Sequence, residues 1–173
     1  MIRVHDNEFV EIRDGRVATV ENGGWVVVRK ESIAAVIKGG YADVRTGGFV
    51  NVFDGGRATV GEGGGGEVHY RGFAVVCGGK VNVWKSGNAV VLDGGTANVH
   101  KGGKVEVHEG GRAIVHEGGR AVVRKGGITD VGWGGSANVH KGGRAIVWDG
   151  GKASGPGEII YLEQAEQGVA QSI

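Results

Sequence analysis

The sequence predicts an all-β fold: a parallel β-solenoid of octapeptide strands, three-sided with 24 residues per coil, a two-sided coil of 16 residues being the alternative. Three observations predict it. An eight-residue phrase, two glycines followed by x-Ala/Val-x-Val-x-x, recurs about nineteen times between residue 1 and roughly residue 153; Gly118–Lys125 is a clean copy. Within each phrase the apolar residues alternate with polar ones, the period-two pattern of a strand with one buried face. Paired glycines every eight residues also make helix a poor choice. The third observation is parity. In a meander of hairpins, position four of one strand would oppose position three of the next, and the valines would alternate between faces. In stacked parallel coils equivalent positions lie in register, so every valine points inward, and each repeat buries the face its neighbour cannot bury alone.

Taken in order, the strands begin at Met1, Phe9, Val17, Trp25, Ile33, Tyr41, Phe49, Arg57, Gly65 and Phe73. One residue is missing near Cys77, and the phrase resumes at Lys80, Asn88, Thr96, Lys104, Arg112, Arg120, Ile128, Ser136 and Arg144. Position four is valine throughout except at Ile12. The larger residues at position two, Ile2, Val26 and Val50, then Val81, Val105 and Thr129, recur every 24 residues, with Val10 the exception. The corners Asn7-Glu8 and Glu31-Ser32 share that spacing, which favours three sides. At about 4.8 Å per rung, three sides predict a rod of about 30 Å and two sides about 45 Å. The skipped residue predicts a kink or register break over 73–80. Residues 1–155 form the solenoid, and 156–173, beginning at the single proline, form a terminal cap or docking tail. There Ile159, Leu162, Val169 and Ile173 are spaced as one face of a short helix.

Composition narrows function by exclusion. Of 173 residues 38 are glycine, but without the every-third spacing of collagen. Twenty basic and nineteen acidic side chains interleave to a net charge of +1, so no broad field favours nucleic acid. No apolar run reaches membrane-spanning length. Met1–Asp6 already fits the repeat, which predicts a protein made in the cytoplasm without a signal peptide. The Gly-Gly-Lys runs at 78–80, 102–104 and 150–152 lack a phosphate-loop frame, and the glycine turns lack the aspartates of calcium-binding nonapeptides. Cys77 has no partner histidine at a readable spacing, and no nucleophile–base–oxyanion set is visible. The reading is a non-enzymatic chain without cofactor.

Residues that break the phrase carry the candidate surfaces. Outward apolar side chains crowd the first half: Met1, Phe9, Trp25, Ile33, Tyr41 and Phe49. On a three-sided coil Met1, Trp25 and Phe49 share one column, and with Ile159, Leu162 and Ile173 they form the expected protein-protein interface. Trp84 and Trp148 are outward aromatics suited to a glycan or a flat partner. His100, His108, His116 and His140 all take position five. Adjacent rungs of one column would hold His116 and His140 with three sides, or His100 and His116 with two; neither set converges three metal ligands.

The phrase Gly55-Gly56-Arg57-Ala58-Thr59-Val60 and its relatives resemble the octapeptide arrays of uncharacterised actinobacterial and phage proteins. The eight-residue half-coil is also similar to bacterial ice-nucleation repeats, but the isolated Thr19, Thr46, Thr59, Thr96 and Thr129 make no Thr-x-Thr ladder. A third resemblance is to the octapeptide β-helix of contractile-phage needles. Its Val-x-Gly signature becomes Val115-His116-Glu117-Gly118-Gly119 here, and it implies three intertwined chains, a homotrimer. Together these imply a rigid spike, spacer or decoration module incorporated into a phage or prophage virion. The alternative is a soluble binding module that recognises a glycan or flat protein partner through its exposed aromatics.

Overall fold

The computed structural model describes residues 1–162, which form twenty-one short strands from β1 (Ile2–Val4) to β21 (Glu158–Tyr161). Odd-numbered strands build one eleven-stranded sheet and even-numbered strands a ten-stranded one, all parallel. Equivalent positions stack in register, Ala18 on Ile2 and Val20 on Val4, so one coil takes sixteen residues. The solenoid is therefore two-sided, and the three-sided expectation is overturned. Sides of eight residues meeting in a triangle would enclose a centre too wide for alanine and valine to fill. Two sheets face to face, about 10 Å apart, let the same side chains interdigitate. The 24-residue recurrence at position two was size variation within a core that accepts either residue.

Position four is fully buried in almost every strand, and position two nearly so. The exceptions are Ile2, Val10, Ala153 and Ile159, half-buried on the terminal coils. The buried hydroxyl of Thr129 is satisfied by donating to the Ala113 carbonyl of the rung below at 3.2 Å. Corners continue the ladder. The Gly102 N–H donates to Gly118 O at 2.9 Å, and Gly103 N–H closes its own turn onto His100 O at 2.8 Å. Backbone groups at the bends are thereby paired.

The two corner glycines answer different demands. The first takes left-handed φ, +78° at Gly102 and +68° at Gly118. The second, as at Gly119, lies so close to the rung below that a Cβ would stand 2.5 Å from the Val99 carbonyl oxygen. Ser32 occupies that second position and is buried; its hydroxyl accepts from Arg16 N–H at 3.2 Å and donates to Lys30 O at 3.4 Å.

The skip at Cys77 does not interrupt the sheets. β10 (Phe73–Val76) pairs in register with β8 (Arg57–Val60) below and β12 (Asn88–Val91) above. The offset falls from sixteen to fifteen residues between Phe73 and Asn88, then returns to sixteen between Lys80 and Thr96. The missing residue is absorbed by a three-residue corner, Cys77–Gly79, because strand hydrogen bonds hold the register more firmly than corner length.

A second short corner, Gly155-Pro156-Gly157, replaces the end of the solenoid expected at residue 155. Past it, β21 pairs with β19 (Arg144–Val147), Glu158 on Arg144 and Ile159 on Ala145. The helical reading of this stretch is thus corrected for residues 158–161, whose alternation extends the sheet by one rung. Tyr161 takes the inward fourth position, and its hydroxyl donates to Ala153 O at 3.0 Å on β20 (Lys152–Ser154). Its ring spans from one sheet to the other across the end of the core. Val169 and Ile173 lie outside the described residues.

Candidate binding corner

Position five leaves each strand at the corner, so its side chain is aimed away from the core and stacks on its equivalent one coil below. Along the corner that follows the odd strands this produces a ladder of flat rings: Phe53, His69, Trp84, His100 and His116. Neighbouring centroids are 5.1, 6.1, 3.9 and 4.9 Å apart, and the planes lie within 13° of parallel. Such pairs contribute about 0.5–1.5 kcal/mol each beyond the area they bury. A shallow groove of about 570 Å³ runs beside the upper rungs, lined by Glu67, His69, Trp84, Lys85, His100, Lys101, His116 and Glu117. Stacking also limits what the ladder can do. Each inner ring has both faces covered, so only ring edges look into the groove.

Within the ladder, His100 is held toward its neutral form. Burial pushes the His100 pKa down, and the neighbouring His116 pushes it further in the same direction, against a smaller opposing effect of Glu67. The unfolded chain therefore binds a proton more readily than the folded one. The contribution of His100 is complete above the ordinary value of 6.5 and is lost as pH falls from there toward the lowered folded value. Melting should therefore drop between pH 7.5 and pH 5.5, and His100→Phe, which stacks but cannot protonate, should reduce that drop. An equal drop in both proteins would remove His100 as the cause.

The four histidines do not form one set. His108 and His140 lie on the opposite corner, which follows the even strands, so the adjacency of His116 with His140 is overturned and His100 stacks on His116 instead. On the opposite corner Arg124 lies 2.6 Å and His108 3.3 Å from Glu106. The Arg124 hydrogen bond holds the Glu106 carboxyl below the usual carboxylate range. Lower on that corner Arg13, Arg29 and Arg45 stack on successive rungs beside a groove of about 460 Å³. Glu11 and Asp43 pair with Arg29 and Arg45 at 3.2 and 2.9 Å, so the column is largely neutralised. Sequence reading missed it, since three arginines at position five become a column only when the coil is sixteen residues. Among the described residues no group of three or more His, Cys, Asp or Glu side chains is placed to hold a metal ion.

The expected column of Met1, Trp25 and Phe49 is also divided. Trp25 lies on the even sheet between Phe9 and Tyr41, edge-to-face with both, at centroid distances of 5.5 and 5.6 Å. Phe9 is 60% and Trp25 47% exposed. Met1, Ile33 and Phe49 line the other sheet together with Val17, on the opposite face of the rod. Ile159 packs against the core and Leu162 is exposed at the last described rung, while Ile173 is outside the described residues. Trp84 belongs to the ring ladder. Trp148 stands on the same corner two rungs above His116, separated from it by Gly132.

Fold and surface together define a class, the two-sided parallel β-solenoid whose outer residues form axial columns at strand spacing. No protein-family model matches the chain, and no curated protein matches it. Among solved structures it is similar to the crystal structure of a TibC-catalysed hyper-glycosylated TibA fragment spanning residues 55–350. The TM-score is 0.60 with 23% sequence identity, over 95% of this chain and 92% of that one. At this identity the likeness is one of fold. No helix among the described residues is long and apolar enough to cross a membrane.

Proposed function

We propose that this chain is a non-enzymatic structural and binding module, a stiff rod that associates through an aromatic column on one flat face. The observation that carries the reading is the run Phe9–Trp25–Tyr41. These are three large rings in a row on the outside of the even sheet, each touching the next, with more than half of Phe9 and nearly half of Trp25 open to water. Contiguous exposed aromatics of this kind mark association surfaces, and truncating a central one costs at least about 2 kcal/mol of binding when it is a hot spot. The flat sheet face and the continuous, mostly Val/Ala core support a mechanical role, because partners then meet columns held at fixed spacing. The resemblance to phage arrays supports a spike, spacer or decoration of a phage or prophage virion, assembled from protein made in the cytoplasm. A homotrimer is one arrangement of such rods.

The test is self-association. Light scattering at rising concentration should show an oligomer for the wild type and a monomer for the Phe9→Ser/Trp25→Ser double variant, with the same melting temperature. A wild type that stays monomeric, or a double variant that associates equally well, would remove the aromatic column from this role. A second reading, glycan binding, is favoured by one specific observation on the ladder corner.

A further inference from the structure

The ring ladder stops abruptly. Above His116 the next position-five residue is Gly132, on the corner after β17 (Ile128–Val131), and above that comes Trp148. Gly132 has no backbone reason to be glycine. Its φ is not left-handed, and a Cβ built on it would meet a single atom within 4 Å, the Val115 carbonyl oxygen at 3.4 Å. Its backbone is bonded like the other corners, N–H to Val115 O at 2.8 Å and carbonyl accepting from Gly135 N–H at 3.0 Å. One position-five side chain is therefore missing from an intact scaffold. Gly61 on the opposite corner is equally unconstrained, but its column neighbours there, Arg45 and Cys77, offer no ring.

The gap leaves one face of the ladder open. His69, Trp84 and His100 are covered on both sides, whereas His116 is covered only from below by His100 and is exposed. Trp148 is 53% exposed two rungs higher, about 9.6 Å up the axis at the usual strand spacing. A ring placed at the Gly132 level would lie about one rung from each wall, the separation at which the ladder's own rings stack, 3.9–6.1 Å. The rim is mixed: position six holds exposed Glu117 below the gap and exposed Asp149 above it, and between them, on the Gly132 rung, Trp133, whose exposed indole lies over the Gly150 corner and leaves position five bare.

We infer that the Gly132 gap is a binding slot for one neutral pyranose ring, held between the His116 imidazole and the Trp148 indole. The ring's C–H faces meet the two aromatic walls, and its equatorial hydroxyls donate to the Glu117 and Asp149 carboxylates. Ring faces with carboxylate acceptors at their edge suit a hydroxylated saturated ring better than a bare aromatic one, and the same carboxylates repel acidic sugars. The slot is independent of the Phe9–Trp25–Tyr41 column, so failure of one leaves the other standing.

The experiment titrates the full chain with the methyl pyranosides of glucose, galactose and N-acetylglucosamine, following the Trp148 indole and His116 signals by NMR. Benzyl alcohol is the flat-ring comparison. At least one pyranoside should shift both signals. Gly132→His, which restores the missing side chain, should weaken that binding at least tenfold, as should Trp148→Ala. Leu92→Ala on the opposite corner should leave it unchanged, and equal melting temperatures establish that the variants fold. The inference is overturned if none of the pyranosides binds, if Gly132→His binds as well as the wild type, or if benzyl alcohol alone shifts the two signals.

Discussion

Val99→Asp should abolish the cooperative melt of the protein. Val99 is fully buried at position four of β13 (Thr96–Val99), stacked between Val83 and Val115 in a core of valine and alanine. The interior there holds no cation to pair with a carboxylate. Burying one unpaired charge costs more than about 4–5 kcal/mol, close to the entire stability of a typical domain. In a solenoid each coil rests on its neighbours, so the damage divides the stack at its middle and leaves two short arrays. Circular dichroism should show lost sheet signal and a broad, shallow transition. Val99→Thr is the measured contrast. A hydroxyl can bond to a carbonyl of a neighbouring rung, as Thr129 does with Ala113, and the cost should be about 1–2 kcal/mol. A wild-type melt for Val99→Asp would mean that position four does not face the core.

Gly119→Ala should destabilise by about 3 kcal/mol, and Gly118→Ala by only about 1 kcal/mol, although the two are neighbours in one corner. The added Cβ at Gly119 would stand 2.5 Å from Val99 O and 3.1 Å from His116 O. Both are backbone atoms held in the rung ladder, so a whole strand must move. At Gly118 the nearest atom is Lys101 Cγ at 2.9 Å, the middle of a side chain that can swing away, and the remaining cost is the left-handed φ of +68°. Denaturant unfolding of the two single variants would check the order. Equal losses would mean that the glycine pair is kept for backbone conformation alone rather than for rung spacing.

Much of this architecture was legible in the repeat. The valines at position four, the strand starts and the choice of stacked coils over hairpins all follow from period-two patterning and parity, and each matches the burial of Val4 through Val147. The number of sides was not legible. It depends on how thick a core the side chains must fill, and the recurrence of Val26, Val50, Val81 and Val105 reported only that alanine and valine are interchangeable there. The ladder was hidden for a second reason. Phe53, His69, Trp84 and His100 are spaced by sixteen, fifteen and sixteen residues, because the deletion at Cys77 falls between His69 and Trp84. A fixed step along the chain loses the column at that point, whereas strand hydrogen bonding restores it in space.

The tail shows the same division. Glu158–Tyr161 has the alternation of a further strand, but with two residues missing from the corner before it the phrase is unrecognisable. Only pairing with Arg144–Val147 identifies it, and only the fold carries the Tyr161 ring across the core end to Ala153. The sequence by itself determined which side chains face inward, where the glycines must stand and that the strands run parallel, because those follow from local sterics and a period of two. The tertiary structure decided how many sides the coil has and hence which distant residues become neighbours. Column membership depends on coil length, set by core thickness and corner hydrogen bonds. Those choices put His116 under the bare Gly132 position and Trp148 above it.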